Sequence, residues 1–293
     1  MSSRRTETHP YVGRVAVLAT KHGKEQQIAR PLHAALGLQV YVPPNLDTDV
    51  LGTFTGEIPR QGPPTEVVLQ KARMGMAKSG CPLGLANEGS FGPLPALPML
   101  IVDTELLLWV DDERGIQVLE VLVSEQVVAT HCTARSLEEV STFLARACFP
   151  SHGLIVRPHV VSAPLSPDQI LKGITESETL AKAIKQSSSL SLDGLALVET
   201  DLRAHMNPTR RRVIRRLAGC LARRIACLCP HCRTPGWGRV DVVRGLPCEW
   251  CGEATDLVRE EVLGCPSCSY RVHRARSDGQ NTAPAAQCPS CNP

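Results

Sequence analysis

Apolar positions in the first two hundred residues fall into short runs broken by helical spacings. Residues 12–19 form a near-continuous apolar stretch, the pattern of a strand covered on both faces. Ile28, Leu32 and Leu36 recur every fourth residue and predict a helix that Gly37 ends. Pro31 falls inside it and predicts a kink or a later start. Residues 38–42 predict a second strand, so the chain opens βαβ. Residues 43–64, rich in Pro, Gly, Thr and Asp, read as a long loop of the kind that carries function. A second helix is expected over 65–79, stopped by Gly80, and a loop over Ala86 to Pro98.

Three or four hairpin-linked strands are expected over 98–130, split by a turn at Asp111 to Gly115. Ser136 with Glu139 predicts a capping box that opens a helix to Cys148. A strand at 153–158, a helical region from Ser166-Pro167 to about Ser187 and a strand at 194–199 follow. Asn207 as N-cap and Pro208 as first residue open the last helix. Its wheel sets Arg212, Arg215, Arg216 and Arg223 opposite Ile214, Leu217, Leu221 and Ile225, with Arg210 on the apolar side in the first turn. The pattern predicts an α/β fold, a mixed sheet with flanking helices, over residues 1–226, followed by a small cysteine-rich module at 227–293.

That module changes the picture most. It holds four Cys-x-x-Cys knuckles: Cys229/Cys232, Cys248/Cys251, Cys265/Cys268 and Cys288/Cys291. Eight thiolates at this spacing make two structural zinc sites, each satisfied by four sulfurs with no open position. The result is a double zinc ribbon. Sequential pairing, with gaps of 15 and 19 residues, is favoured over a nested pairing that joins the middle knuckles across 13. A disulfide framework needs an oxidising compartment, and Met1 to Pro10 has no apolar signal region. Cys81, Cys132, Cys148, Cys220 and Cys227 lack knuckle spacing and read as buried small hydrophobes.

Charge is uneven. Residues 1–200 carry a net −4 and residues 201–293 a net +7, all of the latter's bases being arginine. Two four-thiolate zinc centres, each formally −2, reduce that tail to +3. No apolar run approaches the roughly 18 residues of a membrane span, so a cytoplasmic protein without a membrane partner is expected.

Polar residues gather in four places. Thr20-Lys21-His22-Gly23-Lys24 is a strand-to-helix turn suited to phosphate. Asp47-Thr48-Asp49 with Gly52 to Glu57 and Arg60, and Glu88-Gly89-Ser90, offer carboxylates to Mg²⁺. Arg203 to Arg210, with His205, suits an anion at a helix N-terminus. Lys71 and Arg73 read as a solvated helix face; His131, His152 and His159 read as structural.

The chain resembles an uncharacterised bacterial family of unknown function in Ala19 to Lys24, Asp47 to Asp49, Gly52 to Glu57, Glu88 to Pro93, Arg203 to Arg210 and Cys288 to Pro293. More distantly it is similar to inosine-triphosphate pyrophosphatases and Maf-like nucleotide hydrolases, through Thr20 to Lys24, Thr53 to Glu57, Lys71-Ala72, Glu88 to Ser90 and Arg203 to Arg210 in the same order. It departs from them at His22, where asparagine would stand, in its lysine spacing and in the extra tail.

The similarity implies a fold of that kind and a Mg²⁺-dependent hydrolase or transferase acting on a nucleotide-like phosphate ester. Thr20, Lys21, Lys24, Arg203 and Arg210 would hold phosphate. Glu57 and Glu88, with Asp47 or Asp49, would hold metal and activate water; His22 or His205 would move protons. The alternative expectation is a zinc-ribbon protein that binds nucleic acid, or a protein partner, through the ribbons and the arginine face.

Overall fold

The computed structural model describes residues 8–53 and 58–292. Its first sheet has the order β2-β1-β3-β4-β5. β1 (Val15–Ala19) pairs in parallel with β2 (Gln39–Tyr41) on one side and with β3 (Leu83–Leu94) on the other. β3, β4 (Leu97–Asp111) and β5 (Ile116–Ser124) continue as an antiparallel meander.

The connections explain the burial of β1. Helix α1 (Glu25–Leu36) leads to β2, and α2 (Pro64–Ser79) carries the chain back over β1 to β3. Ile28, Leu32 and Leu36 of α1 pack with Ala16 and Leu18 and with Leu85, Leu107 and Trp109. Val68, Ala72 and Met76 of α2 pack with Val17, Ala19, Ala86 and Leu108 on the opposite face. Gly84 makes this closeness possible, because a Cβ there would lie 2.4 Å from Met76 Sδ. α1 begins at Glu25 and runs through Pro31, so the later start does not occur.

The expected loop at Ala86 to Pro98 is instead most of β3 and the start of β4. Residues 83–93 pair one for one with 101–111, so the glycines at 84, 89 and 92 are strand positions. The expected hairpin series at 98–130 is two long strands only.

β6 (His131–Ala134) belongs to a second, antiparallel sheet of order β6-β9-β7-β8, with β7 (Leu154–Pro158), β8 (Leu171–Ile174) and β9 (Ala196–Thr200). Its core joins Leu154, Val156 and Val198 to Phe143 of α3 (Ser141–Arg146) and Leu180 and Ile184 of α4 (Ser177–Leu190). Glu139 accepts from the Arg135 amide at 2.8 Å rather than closing a box with Ser136, and the helix there is only six residues long. The helical region expected from Ser166 is also broken. Ser166 and Gln169 cap one short turn, Gly173 at φ +71° ends any helix, and β8 intervenes before α4.

α5 (Pro208–Ala226) lies beside α1 on the first sheet. Asn207 Oδ1 accepts from Arg210 N at 2.9 Å, the expected cap. Ile214, Leu217, Leu221 and Ile225 are buried, and Arg212, Arg215, Arg216 and Arg223 are exposed.

The C-terminal module is a three-stranded antiparallel sheet of β10 (Gly238–Arg244), β11 (Val258–Gly264) and β12 (Arg271–Ala275). Arg224 fastens it, donating to Glu120 Oε1 at 2.8 Å, Leu119 O at 3.1 Å and Gly236 O at 3.3 Å. No helix among the described residues is long and apolar enough to cross a membrane.

Candidate functional site

The four-cysteine clusters fit zinc but not the expected pairing. Cys229, Cys232, Cys265 and Cys268 form one, and Cys248, Cys251, Cys288 and Cys291 the other. Within each, all sulfurs lie within 4.8 Å of one another. Separations such as 3.8 Å for Cys229–Cys268, 3.5 Å for Cys232–Cys265 and 3.6 Å for Cys251–Cys288 match the edge of a tetrahedron. Four sulfurs about 2.3 Å from a zinc ion stand about 3.8 Å apart. The first knuckle therefore pairs with the third and the second with the fourth, neither sequential nor nested.

The sheet dictates this. In an antiparallel meander the segment before β10 and the β11–β12 turn share one end. The β10–β11 turn and the segment after β12 share the other. Each cluster can hold a metal ion, and a full sulfur shell leaves it no catalytic position. The five other cysteines are not buried: Cys148 and Cys227 are exposed and Cys81, Cys132 and Cys220 half-buried.

A second site lies at the carboxyl end of β1, beside the part of β3 that extends past it. The chain leaves β1 toward β2 on one side and returns to β3 on the other, with α1 and α2 on opposite faces. Such a switch in strand order opens a crevice where open α/β sheets bind ligands. Here the crevice is a cavity of about 430 Å³. The turn after β1 supplies Thr20, Lys21, His22 and Lys24, and α2 supplies Lys71. The loop after β2 adds Asp49 and Arg60, and β3 adds Asn87, Glu88, Ser90 and Phe91. Lys172 comes from β8, and Arg203 and Arg210 from the segment around the start of α5.

Most of its cations are held by carboxylates. Lys71 Nζ lies 2.5 Å from Glu88 Oε2, and Arg60 Nη2 lies 2.9 Å from Glu88 Oε1. Arg60 also donates to Gly89 O at 2.7 Å. Lys21 bridges Asp47 at 3.0 Å and Asp49 at 2.9 Å, and these bonds raise its pKa. The same lysine holds the Asp47 carboxyl below its usual range. Arg203 pairs with Asp201 at 2.6 Å. Arg210 donates to Glu105 at 2.5 Å and to Leu202 O at 2.7 Å. Behind this wall Asn87 Nδ2 donates to Glu105 Oε2 at 2.8 Å. Burial, with the Glu105 charge beside it, pushes the Asp103 carboxyl up to about 8.

His22 Nε2–H donates to Asp49 Oδ1 at 3.2 Å, and the ring stacks on His205 with ring centres 5.0 Å apart. Burial lowers the His22 pKa to about 4 and lowers that of His205 as well, so both rings are neutral near pH 7. Burial also brings Lys24 down to about 7, with the Arg210 charge adding to the effect.

Of the residues singled out in the sequence, Thr20, Lys21, His22, Lys24, Asp49, Glu88, Arg203 and Arg210 line this one cavity. Asp47 adjoins it through Lys21, and His205 backs His22. Glu57 lies outside the described residues. Lys71 is a correction: it is 8% exposed and turned onto Glu88, because its place on α2 faces β3 rather than water. Arg73, on the other side of that helix, is exposed and pairs with Asp112. Asp103 and Glu105 escape notice in the sequence because polar residues alternating with apolar ones in a strand look like a solvated face, and Asn87 because its segment reads as a loop.

The carboxylates do not form a ready magnesium site. Both oxygens of Glu88 and both of Asp49 are taken by lysine, arginine or histidine. Among the described residues, the groups of three or more metal-ligating side chains are the two cysteine clusters.

No curated protein matches the chain, and no solved structure does. The match to a family model starts at Lys71, so the Thr20 to Lys24 and Asp47 to Asp49 segments precede it. That model, described as Domain of unknown function (DUF6671), matches residues 71–293, about three quarters of the chain, and the chain belongs to this family.

Proposed function

We propose that the protein is a hydrolase or transferase acting on a nucleotide-like phosphate ester bound in the switch-point cavity. One observation carries this reading. Lys21, Lys24, Arg60, Lys71, Lys172, Arg203 and Arg210, from separate segments of the fold, converge on about 430 Å³. Lining carboxylates are fewer, Asp49 and Glu88 among them, so the cavity favours an anion. The order of motifs shared with inosine-triphosphate pyrophosphatases and Maf-like hydrolases supports the same class.

The chemistry follows from competition for cations. A phosphate entering the cavity draws Arg60 and Lys71 toward its own oxygens. Glu88 is then released to accept a proton from a water or hydroxyl whose oxygen bonds to phosphorus as the P–O bond to the ester oxygen breaks and that oxygen leaves, while Arg203, Arg210 and Lys21 carry the charge on the phosphoryl oxygens. The neutral His22 ring, backed by His205, serves as a hydrogen-bonding group at the mouth. Both oxygens of Asp49 and of Glu88 are already paired, so the step is carried by this chain's own side chains.

The test is phosphate or pyrophosphate release from a panel of canonical and modified nucleotides, with and without Mg²⁺. Glu88→Gln should abolish turnover while keeping ligand-induced thermal stabilisation. Release unchanged in Glu88→Gln, or no release from any member, rejects the reading.

A second reading has its own observation. Residues 202–240 contain ten arginines and no Asp or Glu. Four of those arginines, Arg212, Arg215, Arg216 and Arg223, form the exposed face of α5, with no carboxylate bound among the described residues. This face suits the phosphate backbone of a nucleic acid.

A further inference from the structure

Lys24 differs from its neighbours in what holds it. Lys21, Arg60, Lys71, Arg203 and Arg210 each touch a carboxylate. The Lys24 amine instead donates to the neutral carbonyl of Asn87 at 3.2 Å. The residue is 8% exposed, yet it lines the cavity. It is fixed at the end of a rigid element, the residue before α1.

The charges around it come from every element packed there. Arg210 from α5 and Lys71 from α2 disfavour an ammonium, and Glu105 from β4 and Glu88 from β3 favour one. Burial and the cations win, and the Lys24 pKa falls to about 7. A lysine desolvated beside other cations is the setting in which an amine becomes a nucleophile. Asn87 offers a further polar atom on the same wall: its Oδ1 is buried and accepts no hydrogen bond among the described residues.

We propose that Lys24 is a nucleophilic amine that condenses with carbonyl compounds bearing a phosphate group. The phosphate part of this rests on the proposed function above; the amine part does not. The lone pair of Nζ attacks the carbonyl carbon, a proton passes from nitrogen to oxygen, and loss of water leaves an imine. Nothing is oxidised or reduced. The surrounding cations seat the phosphate and place the carbonyl against Nζ.

The experiment uses the zinc-loaded full chain, which has only seven lysines: Lys21, Lys24, Lys71, Lys78, Lys172, Lys182 and Lys185. The probe is pyridoxal 5′-phosphate near neutral pH, followed by borohydride reduction and peptide mapping. Lys24 should label at least about tenfold faster than the surface residues Lys78, Lys182 and Lys185, since each pKa unit is worth up to tenfold in free amine. Its rate should level off above about pH 8, while theirs continues to climb. Inorganic phosphate should protect it.

Lys24 left unlabelled, or following the pH dependence of the surface lysines, overturns the proposal. Pyridoxal without its phosphate separates the two parts. Slower labelling by it supports both. Labelling of Lys24 at the same rate by both aldehydes, unprotected by phosphate, keeps the nucleophile and overturns the phosphate-binding cavity.

Discussion

Arg210 and Glu105 stand 105 positions apart and meet at 2.5 Å, with side-chain exposures of 1% and 0%. Gly89, paired opposite Glu105 on the neighbouring strand, leaves the space for them. A Cβ at Gly89 would lie 2.5 Å from Arg210 Nη2 and 2.6 Å from Glu105 Oε1. The expected helix-terminal arginine is thus tied to the sheet and forms part of the cavity wall.

Glu105→Ala should destabilise the protein by about 3–5 kcal/mol, the cost of leaving a buried charge uncompensated. Gly89→Ala, which forces the pair to shift, should cost about 1–3 kcal/mol. The double change Glu105→Leu/Arg210→Met should recover most of the Glu105→Ala loss yet bind phosphate more weakly. Urea denaturation with a phosphate-binding assay checks all three. A double variant as unstable as Glu105→Ala would show that the pair is not the cause.

The alternating cysteine pairing makes a stoichiometric prediction. Cys229→Ser/Cys265→Ser removes two ligands from one cluster and should leave about one zinc per chain by metal analysis. Cys229→Ser/Cys248→Ser damages both clusters and should leave less than one. If the pairing were sequential, the two outcomes would be reversed.

Element positions were readable where one period dominated. The buried run of β1, the fourfold spacing of α1 and the Asn207-Pro208 start of α5 needed no tertiary information. The central strand β3 was not readable, because Gly84 and Gly89 serve neighbours contributed by α2, β4 and α5. Lys71 failed for a related reason: a lysine on a helix reads as solvated unless the sequence reveals the carboxylate below it. The cysteine knuckles showed that metal sites exist, but which knuckles meet is a property of strand order. Phosphate-type residues were legible as separate clusters, and a shared site was expected of them; the part of β3 in its wall, with Asn87 and the Lys71–Glu88 pair, was not.

Asp103 sets a pH dependence. Its carboxyl is raised from 3.8 to about 8 in the folded protein by burial and by Glu105. Between those values the unfolded chain has lost the proton and the folded chain keeps it. The unfolded state therefore binds fewer protons, and stability falls as pH rises through the window, by at most about 1.4 kcal/mol per unit. The contribution is complete below the unfolded value and gone above the folded one. Asp103→Asn resembles the protonated acid and should remove this slope. Denaturation of both proteins at about pH 5 and about pH 8 tests it. The variant should gain stability relative to the parent at the higher pH, and an equal difference at both would reject the assignment.

The exposed arginines of α5 yield the last prediction. Arg212, Arg215, Arg216 and Arg223 span three turns of one helix on its solvent side, and α5 carries no acidic residue to neutralise them. If each contacts a phosphate of a bound nucleic acid, each releases close to one counterion, and the logarithm of the binding constant falls with the logarithm of salt. Replacing all four by glutamine should lower affinity at low salt and reduce that slope by about 3–4. The substitutions lie outside the cavity, so nucleotide turnover and zinc content should not change. Binding that ignores salt, or that keeps its full slope without these four side chains, would mean the helix face is merely solvated. The cavity beside β1 and β3 would then be left, among the described residues, as the proposed place for a phosphate ligand.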